Sequence, residues 1–229
     1  MLPRFTGRSA VRVPLTPVSG CAWSPVCMGR VSEGAGASAG SKECKMLCRK
    51  RFYFLRHGQT DWNAKKLCQG QRDVPLNALG IEQAHDAKRR LAGVPIATVC
   101  CSPLSRARET AEIINDVLKC PLVLIDALKE IHFAAAEGEP LLRHPYEALL
   151  RDAERYGGEP FDVFVARAVS GLNQALAHPG PVLVVAHGGI FCAVQARVRV
   201  DYDGDMTNGV PVCLEPIDGE ETAWRMQAV

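Results

Sequence analysis

No apolar run in this chain approaches the roughly 18 residues that a bilayer-spanning helix needs, which excludes a helical membrane protein. There is no C-x-x-C pair, although the chain has ten cysteines. Cys100 and Cys101 are adjacent, Cys44 and Cys48 are four apart, and Cys68, Cys120, Cys192 and Cys213 are scattered. That spacing fits neither a zinc site nor a disulfide framework. Several of these cysteines lie inside apolar runs, where a free thiol behaves as a small hydrophobe. They are read as reduced, which points to a cytoplasmic location. No cluster of acids or of His and Cys forms a ligand set, so neither a metal nor another cofactor is expected. A strong charge imbalance is missing too. The net charge is +2, but residues 1–45 hold six Lys or Arg against Glu33 and Glu43, so the rest of the chain is slightly acidic. A basic nucleic-acid binder is therefore excluded.

What is present is a chain of 229 residues, 47% apolar and 23% charged, in the soluble globular class. Residues 1–45 differ from the rest. They are rich in Gly, Ser, Pro and Ala, and keep neither a helical nor a strand period, so a disordered extension is expected there. Two other readings stand beside it. The first 32 residues contain four Arg and no acid, as transit peptides do, although Pro3, Pro14, Pro17 and Pro25 would break an amphipathic helix. Alternatively Met46 is the true start, because the folded pattern begins directly after it. One domain is expected over 46–229.

From Arg51 onward strand-like and helix-like segments alternate. Phe52 to Leu55 reads as a buried strand. A polar loop runs from Gln59 to Leu76, and Asn77 caps a helix over about Leu79–Leu91. Thr98–Ser102 is a second strand. Ser102 and Pro103 then predict a capped helix start, with the helix reaching Leu118. Leu122–Ile125 is a third strand, followed by a loop from Glu130 to Pro145. Helical patterns follow near Tyr146–Tyr156 and Phe161–Ala177. Val182–Ala186 is a fourth strand, with a helix from about Ile190. A last pair of strands lies near Val212–Leu214 and Trp224–Met226. Such alternation predicts an α/β fold with a mostly parallel central sheet covered on both faces.

Two of these strands end in His-Gly. Arg56-His57-Gly58 closes the first and His187-Gly188-Gly189 closes the fourth. In open α/β sheets ligands bind beyond the carboxyl ends of strands, so the two imidazoles can face one crevice. His85, His144 and His178 lack that context, and His132 stands near a candidate site. Arg106 lies in the first turn predicted after the second strand, beside backbone N–H groups and the positive end of the helix dipole. A cation there favours an anion as ligand, with Arg108 an equal candidate. Arg56 would add a second guanidinium, and a pair of guanidiniums suits a bidentate grip on phosphate. Glu130 follows the third strand and could protonate a leaving oxygen; Glu137 and Glu139 compete with it on composition.

Leu55-Arg56-His57-Gly58-Gln59-Thr60, then Trp62-Asn63, Gln69-Gly70, Asp73, Pro75-Leu76, Gly80 and Gln83-Ala84, resembles the signature of the histidine phosphatase superfamily, which includes cofactor-dependent phosphoglycerate mutases and many small phosphatases. Ser102, Leu104, Arg106-Ala107 and Thr110-Ala111 resemble its second motif. Leu128 and Glu130 with Glu137-Gly138 resemble its third, and Ala186-His187-Gly188-Gly189 its fourth. The resemblance covers about residues 51–216, with the motifs in family order. It implies an α/β, three-layer, phosphoglycerate mutase-like sandwich with a mixed, mainly parallel central sheet. It also implies His57 as the nucleophile, Arg56, Arg106 and His187 around the phosphoryl oxygens, and Glu130 as general acid and base. Asn63 would contact phosphate, Thr60 and Gln69 would line the pocket, and Gly70 and Gly188 fall in the matched phosphate-binding segments. One departure stands out: the family usually has Gly and Trp where this chain has Ala134 and Ala136.

The implied reaction is hydrolysis of phosphate monoesters on a small phosphorylated metabolite, through a phosphohistidine, with no nucleic-acid or membrane partner. Nearby arginines favour a neutral, nucleophilic His57, and cations around the phosphoryl oxygens would stabilise the transferring group. The alternatives are a phosphoglycerate mutase and a catalytically weak regulatory or binding member of the fold. Only 57 residues separate Glu130 from His187, whereas the mutases resemble a longer version with an insertion. Gln69 also matches the phosphatase-like members. The Glu130–Tyr156 segment would set specificity among sugar phosphates, nucleoside phosphates and phosphoglycerates.

Overall fold

A computed structural model describes residues 46–141, 146–201 and 206–229. The expected N-terminal extension, His144 and the end of the loop at Pro145 lie outside the described residues. Seven strands form one sheet: β1 (Phe52–Arg56), β2 (Thr98–Cys101), β3 (Leu122–Leu124), β4 (Val182–Ala186), β5 (Arg199–Asp201), β6 (Pro211–Pro216) and β7 (Ala223–Ala228). Their order is β3-β2-β4-β1-β6-β7-β5. The first four neighbours run parallel, β6 is antiparallel to β1 and to β7, and β5 returns parallel to β7. The sheet is mainly parallel, as the alternation of segments predicts, and mixed, as the family resemblance implies.

Burial on both faces explains why the central strands read as unbroken apolar runs. Along β1, Phe52 and Phe54 face one layer while Tyr53 and Leu55 face the other. The Tyr53 side packs with Val99, Cys101, Leu183 and Val185 against helices α2 (Ala78–Leu91) and α3 (Ser105–Leu118). The Phe52 side packs with Val182, Val184 and Ala186 against α5 (Phe161–Leu176) and α6 (Gly188–Gln195). Two shorter helices, α1 (Asp61–Ala64) and α4 (Tyr146–Asp152), lie in the connections.

Local chemistry accounts for most boundaries, and corrects three. Asn77 caps α2 as expected, accepting from the Gly80 N–H at 2.9 Å. Ser102 does not cap α3. That helix begins at Ser105, whose N–H is held by the Asp73 carboxylate at 2.8 Å, so a side chain from the preceding loop takes the cap. The Gln59–Leu76 loop contains α1, because Thr60 and Asn63 form a reciprocal capping box. The pattern over Tyr146–Tyr156 divides into α4 and a 3₁₀ turn at Ala153–Tyr156. The short edge strand β5 escaped sequence reading, because three residues are too few to show a period. Among the described residues, none of Cys48, Cys68, Cys100, Cys101, Cys120, Cys192 and Cys213 is in a disulfide. No helix among the described residues is long and apolar enough to cross a membrane.

Candidate active site

Three adjacent parallel strands, β2, β4 and β1, end at one edge of the sheet, and each delivers a polar residue there. The register Arg56↔Ala186 sets β1 beside β4. The His57 N–H donates to the Ala186 carbonyl at 3.0 Å, and the Ser102 N–H to Val185 at 3.1 Å. His57 and His187 therefore meet edge-to-face with ring centroids 5.2 Å apart. Ser102 reaches across from β2, its Oγ 2.8 Å from His187 Nε2.

The hydrogen bonds around His57 select its tautomer. Nδ1 lies 2.7 Å from the Gly58 carbonyl, which can only accept, so Nδ1 carries the proton. Nε2 then presents a lone pair, and Arg106 Nε donates to it at 3.2 Å. Arg106 is 1% exposed. Its other two nitrogens donate to the carbonyls of Gly70 (2.8 Å) and Arg72 (3.0 Å). Gly70 sits at φ +53, the left-handed region where glycine is unstrained, and this turn points its carbonyl at Arg106. Arg108 faces solvent instead, paired with Glu112 one turn on.

Arg56 donates from Nη1 to the Met206 carbonyl at 3.1 Å, while its buried Nε has no protein partner. His187 Nδ1 is likewise buried and unpartnered. Buried polar atoms of this kind are uncommon and ask for an explanation. Glu130 is also buried. Its Oε1 accepts from the Ile131 N–H, and its Oε2 from the Gly189 N–H and the Tyr146 hydroxyl, at 3.0, 3.0 and 3.2 Å. A Cβ on Gly189 would overlap Glu130 Oε1, so the acid can approach α6 only because that residue is glycine. Glu137 instead serves the loop, accepting from the N–H groups of Gln71 and Phe133. His132 is half exposed, with Nε2 4.0 Å from Glu137.

The expected pocket residues occupy several positions. Asn63 accepts from the Thr60 N–H at 3.2 Å and lies 3.5 Å from Asn208 Nδ2. Thr60 is fully buried and its hydroxyl holds Asn63. Gln69 is buried with Oε1 unpartnered. A Cβ on Gly188 would lie 3.8 Å from the Arg56 guanidinium and 3.9 Å from the Tyr146 hydroxyl, so this backbone borders the site. Sequence reasoning missed Tyr146 and Asn208. Asn208 donates to the His57 carbonyl at 2.8 Å, and the next N–H, of Gly209, to the Arg56 carbonyl at 2.9 Å. The Asn-Gly pair is a turn signal, and that was the one available clue. An aromatic residue opening a helix, as Tyr146 does, reads as core.

The chain matches the histidine phosphatase superfamily (branch 1) over residues 52–224. It belongs to the histidine phosphatase superfamily. Within it, the chain is 36% identical over 181 residues to the uncharacterized phosphatase PhoE of Bacillus subtilis, covering 76% of this chain and 90% of that one. It is 38% identical over 187 residues to a protein of Yersinia pestis named probable phosphoglycerate mutase GpmB, covering 76% and 87%. Among solved structures, a mycobacterial glucosyl-3-phosphoglycerate phosphatase complexed with VO3 superposes with a TM-score of 0.63 at 26% identity, covering 78% and 96%.

The departure of this histidine phosphatase in its third motif now has a shape. Ala134 takes the left-handed conformation (φ 46), where a glycine would be unstrained. Ala136 is buried and lines a cavity of about 220 Å³ with Cys68, Ala135, Leu149 and Tyr156. Cys68 lies on its wall as an inert thiol, pushed up to about 12 by burial and then by Glu137 and Glu130.

Electrostatics keeps both imidazoles of this superfamily member neutral. Burial, then the charges of Arg106 and Arg56, holds His57 well below the usual imidazole range. Burial, Arg106 and His57 do the same for His187. The unfolded chain protonates both rings near the ordinary value of about 6.5, so it binds more protons than the fold just below that pH. Stability should therefore be full above about pH 6.5 and fall as pH drops, each ring contributing a slope of up to about 1.4 kcal/mol per pH unit. Urea melts of wild type and His187→Asn between pH 7 and pH 5.5 check this: the variant's slope should be clearly shallower.

Proposed function

We propose that the chain is a phosphatase acting on phosphate monoesters of small metabolites through a phosphohistidine on His57. The observation that carries this is the unprotonated Nε2 of His57, set by the Nδ1 bond to Gly58, its lone pair accepting from the buried Arg106 guanidinium that would turn to a phosphoryl oxygen when substrate arrives. Arg56 Nε and His187 Nδ1 are unpartnered buried atoms at the same strand ends, suited to phosphoryl oxygens. In the first step the Nε2 lone pair attacks phosphorus and the bond to the ester oxygen breaks. Glu130 gives its proton to the departing alkoxide. While Glu130 holds that proton, the Tyr146 oxygen can accept from it, since a phenol both donates and accepts. In the second step water attacks phosphorus, Glu130 takes a proton from the water, and the N–P electron pair returns to His57. Asn63, Thr60, Gln69, Gly70 and Gly188 would frame the phosphate and its entrance.

The 38% identity to a protein named as a phosphoglycerate mutase favours a second reading, in which a sugar-acid hydroxyl replaces water in the second step. A panel of sugar phosphates, nucleoside phosphates, phosphoserine and 3-phosphoglycerate, assayed in chelator for both phosphate release and isomerisation, separates the two. Phosphate release from at least one metabolite, with no isomerisation of 3-phosphoglycerate, is expected. Efficient isomerisation would replace the phosphatase reading, and binding without turnover would favour the regulatory one.

A further inference from the structure

Arg167, on α5, stands outside every motif considered so far, yet all five of its guanidinium N–H donors are engaged. Nη1 donates to the carbonyls of Ala127 (3.0 Å) and Lys129 (2.9 Å). Nη2 donates to the Glu130 carbonyl at 3.2 Å and to Glu159 Oε2 at 2.7 Å. Nε donates to Glu159 Oε1 at 2.8 Å, which completes a two-point fork. The guanidinium also lies 5.2 Å from the Phe164 ring centroid, on the preceding turn of its own helix. Gln71 adds a second donor to the Glu130 carbonyl at 3.0 Å. Behind this, Gly171 of α5 leaves no room for a Cβ against Ala127, so helix and segment are pressed together.

We infer that Arg167, braced by Glu159, is a positioning residue that holds the backbone of Glu130 at the height from which its carboxyl reaches the leaving oxygen. The inference rests on the acid role proposed for Glu130. Three carbonyls within one four-residue segment, those of Ala127, Lys129 and Glu130, are gathered by a single planar cation anchored in a helix. An ammonium has three donors radiating from one point and cannot reproduce five in a plane. Proton transfer needs heavy atoms within about 2.6–3.2 Å, so a small slide of this segment disables the acid without touching His57, Arg56 or Arg106.

The test uses the dependence on the leaving group. p-Nitrophenolate is a stable anion and departs without a proton, whereas a glycerol alkoxide needs one. kcat/KM is compared, because it reports phosphoryl transfer to His57 before the step common to both substrates. Arg167→Lys should lower kcat/KM for glycerol 2-phosphate by about 10- to 100-fold, as misplacement of a catalytic group does, and for p-nitrophenyl phosphate by less than about 3-fold. Glu130→Gln should show the same selectivity, and adding Arg167→Lys to it should lower neither rate further. Equal losses on both substrates, or losses that multiply in the double variant, would overturn the positioning role. Should Arg167→Lys fail to fold, Glu159→Gln loosens the fork while leaving the carbonyl bonds, and should give the same selectivity in smaller measure; equal losses there overturn the inference too. If Glu130→Gln lacks the selectivity, the acid reading fails and this inference falls with it. If Glu130→Gln has it and Arg167→Lys does not, only the role of Arg167 is wrong.

Discussion

His57→Asn is expected to lower kcat/KM for phosphate monoesters by about 10⁴-fold or more, the scale seen when a covalent nucleophile is removed. The phosphoenzyme should vanish with it. Wild type mixed with a ³²P-labelled substrate and quenched in base should retain label in an acid-labile, base-stable bond, as a phosphoramidate does, and His57→Asn should retain none. Asparagine suits this test because it can still donate toward the Gly58 carbonyl and roughly fills the space of the ring. The strand end is in any case held by its own backbone bond to Ala186 and by Asn208. The fold should survive, and thermal melting of the two proteins can be compared directly. Chelator-resistant hydrolysis that persists at near wild-type rate in His57→Asn would end the covalent mechanism.

Arg106→Lys is expected to lower kcat/KM by about 10²–10³-fold, the loss that follows when a preorganised donor to a transition-state oxyanion is removed. A lysine cannot hold Gly70, Arg72 and His57 at once, because its three donors share one nitrogen. Arg106→Met goes further. Arg106 is the largest charge acting on both imidazoles, and it lowers the pKa of each. Deleting that charge lets both rings protonate at a higher pH, so the acid limb of the kcat/KM profile should move upward. Arg106→Lys, which keeps a cation nearby, should move it less. Proton titration of the imidazoles by NMR reads the same shift without turnover. An unmoved acid limb in Arg106→Met would mean that burial and Arg56 hold His57 neutral without Arg106.

Much of this geometry was legible in the residues. Two apolar runs that each stop at His-Gly require two buried strands, and parallel neighbours must end at one edge. That argument alone brings His57 and His187 together. The placement of Arg106 could be read too, although for an incomplete reason. Its helix starts at Ser105 under an Asp73 cap, and the Ser102 hydroxyl, which accepts from the Leu104 N–H, also reaches His187. Arg106 and Arg108 could not be told apart by type. What separates them is the face of α3 that each occupies, Arg106 buried and Arg108 exposed, in a helix whose start is capped by a carboxylate 32 residues earlier. Asn208 and Tyr146 approach the site through tertiary contacts that leave no local period. Arg167 was hidden for a similar reason: its five acceptors belong to a turn and a loop that nothing in α5 announces.

The pairing of β1 has a consequence for how the protein is made. Tyr53 is flanked by Leu183 on one side and Cys213 on the other. The strand that ends at His57 therefore leaves the ribosome long before either of its neighbours exists. At about 5–20 residues per second, the interval is on the order of ten seconds. Throughout it Phe52 to Leu55 is an apolar segment with both hydrogen-bonding edges open, the kind that pairs with other chains. Contacts so distant in sequence also close slowly. Nascent chains of this protein should therefore need shelter from a chaperone, and a chain halted before β6 should aggregate instead of waiting as a soluble half-sheet.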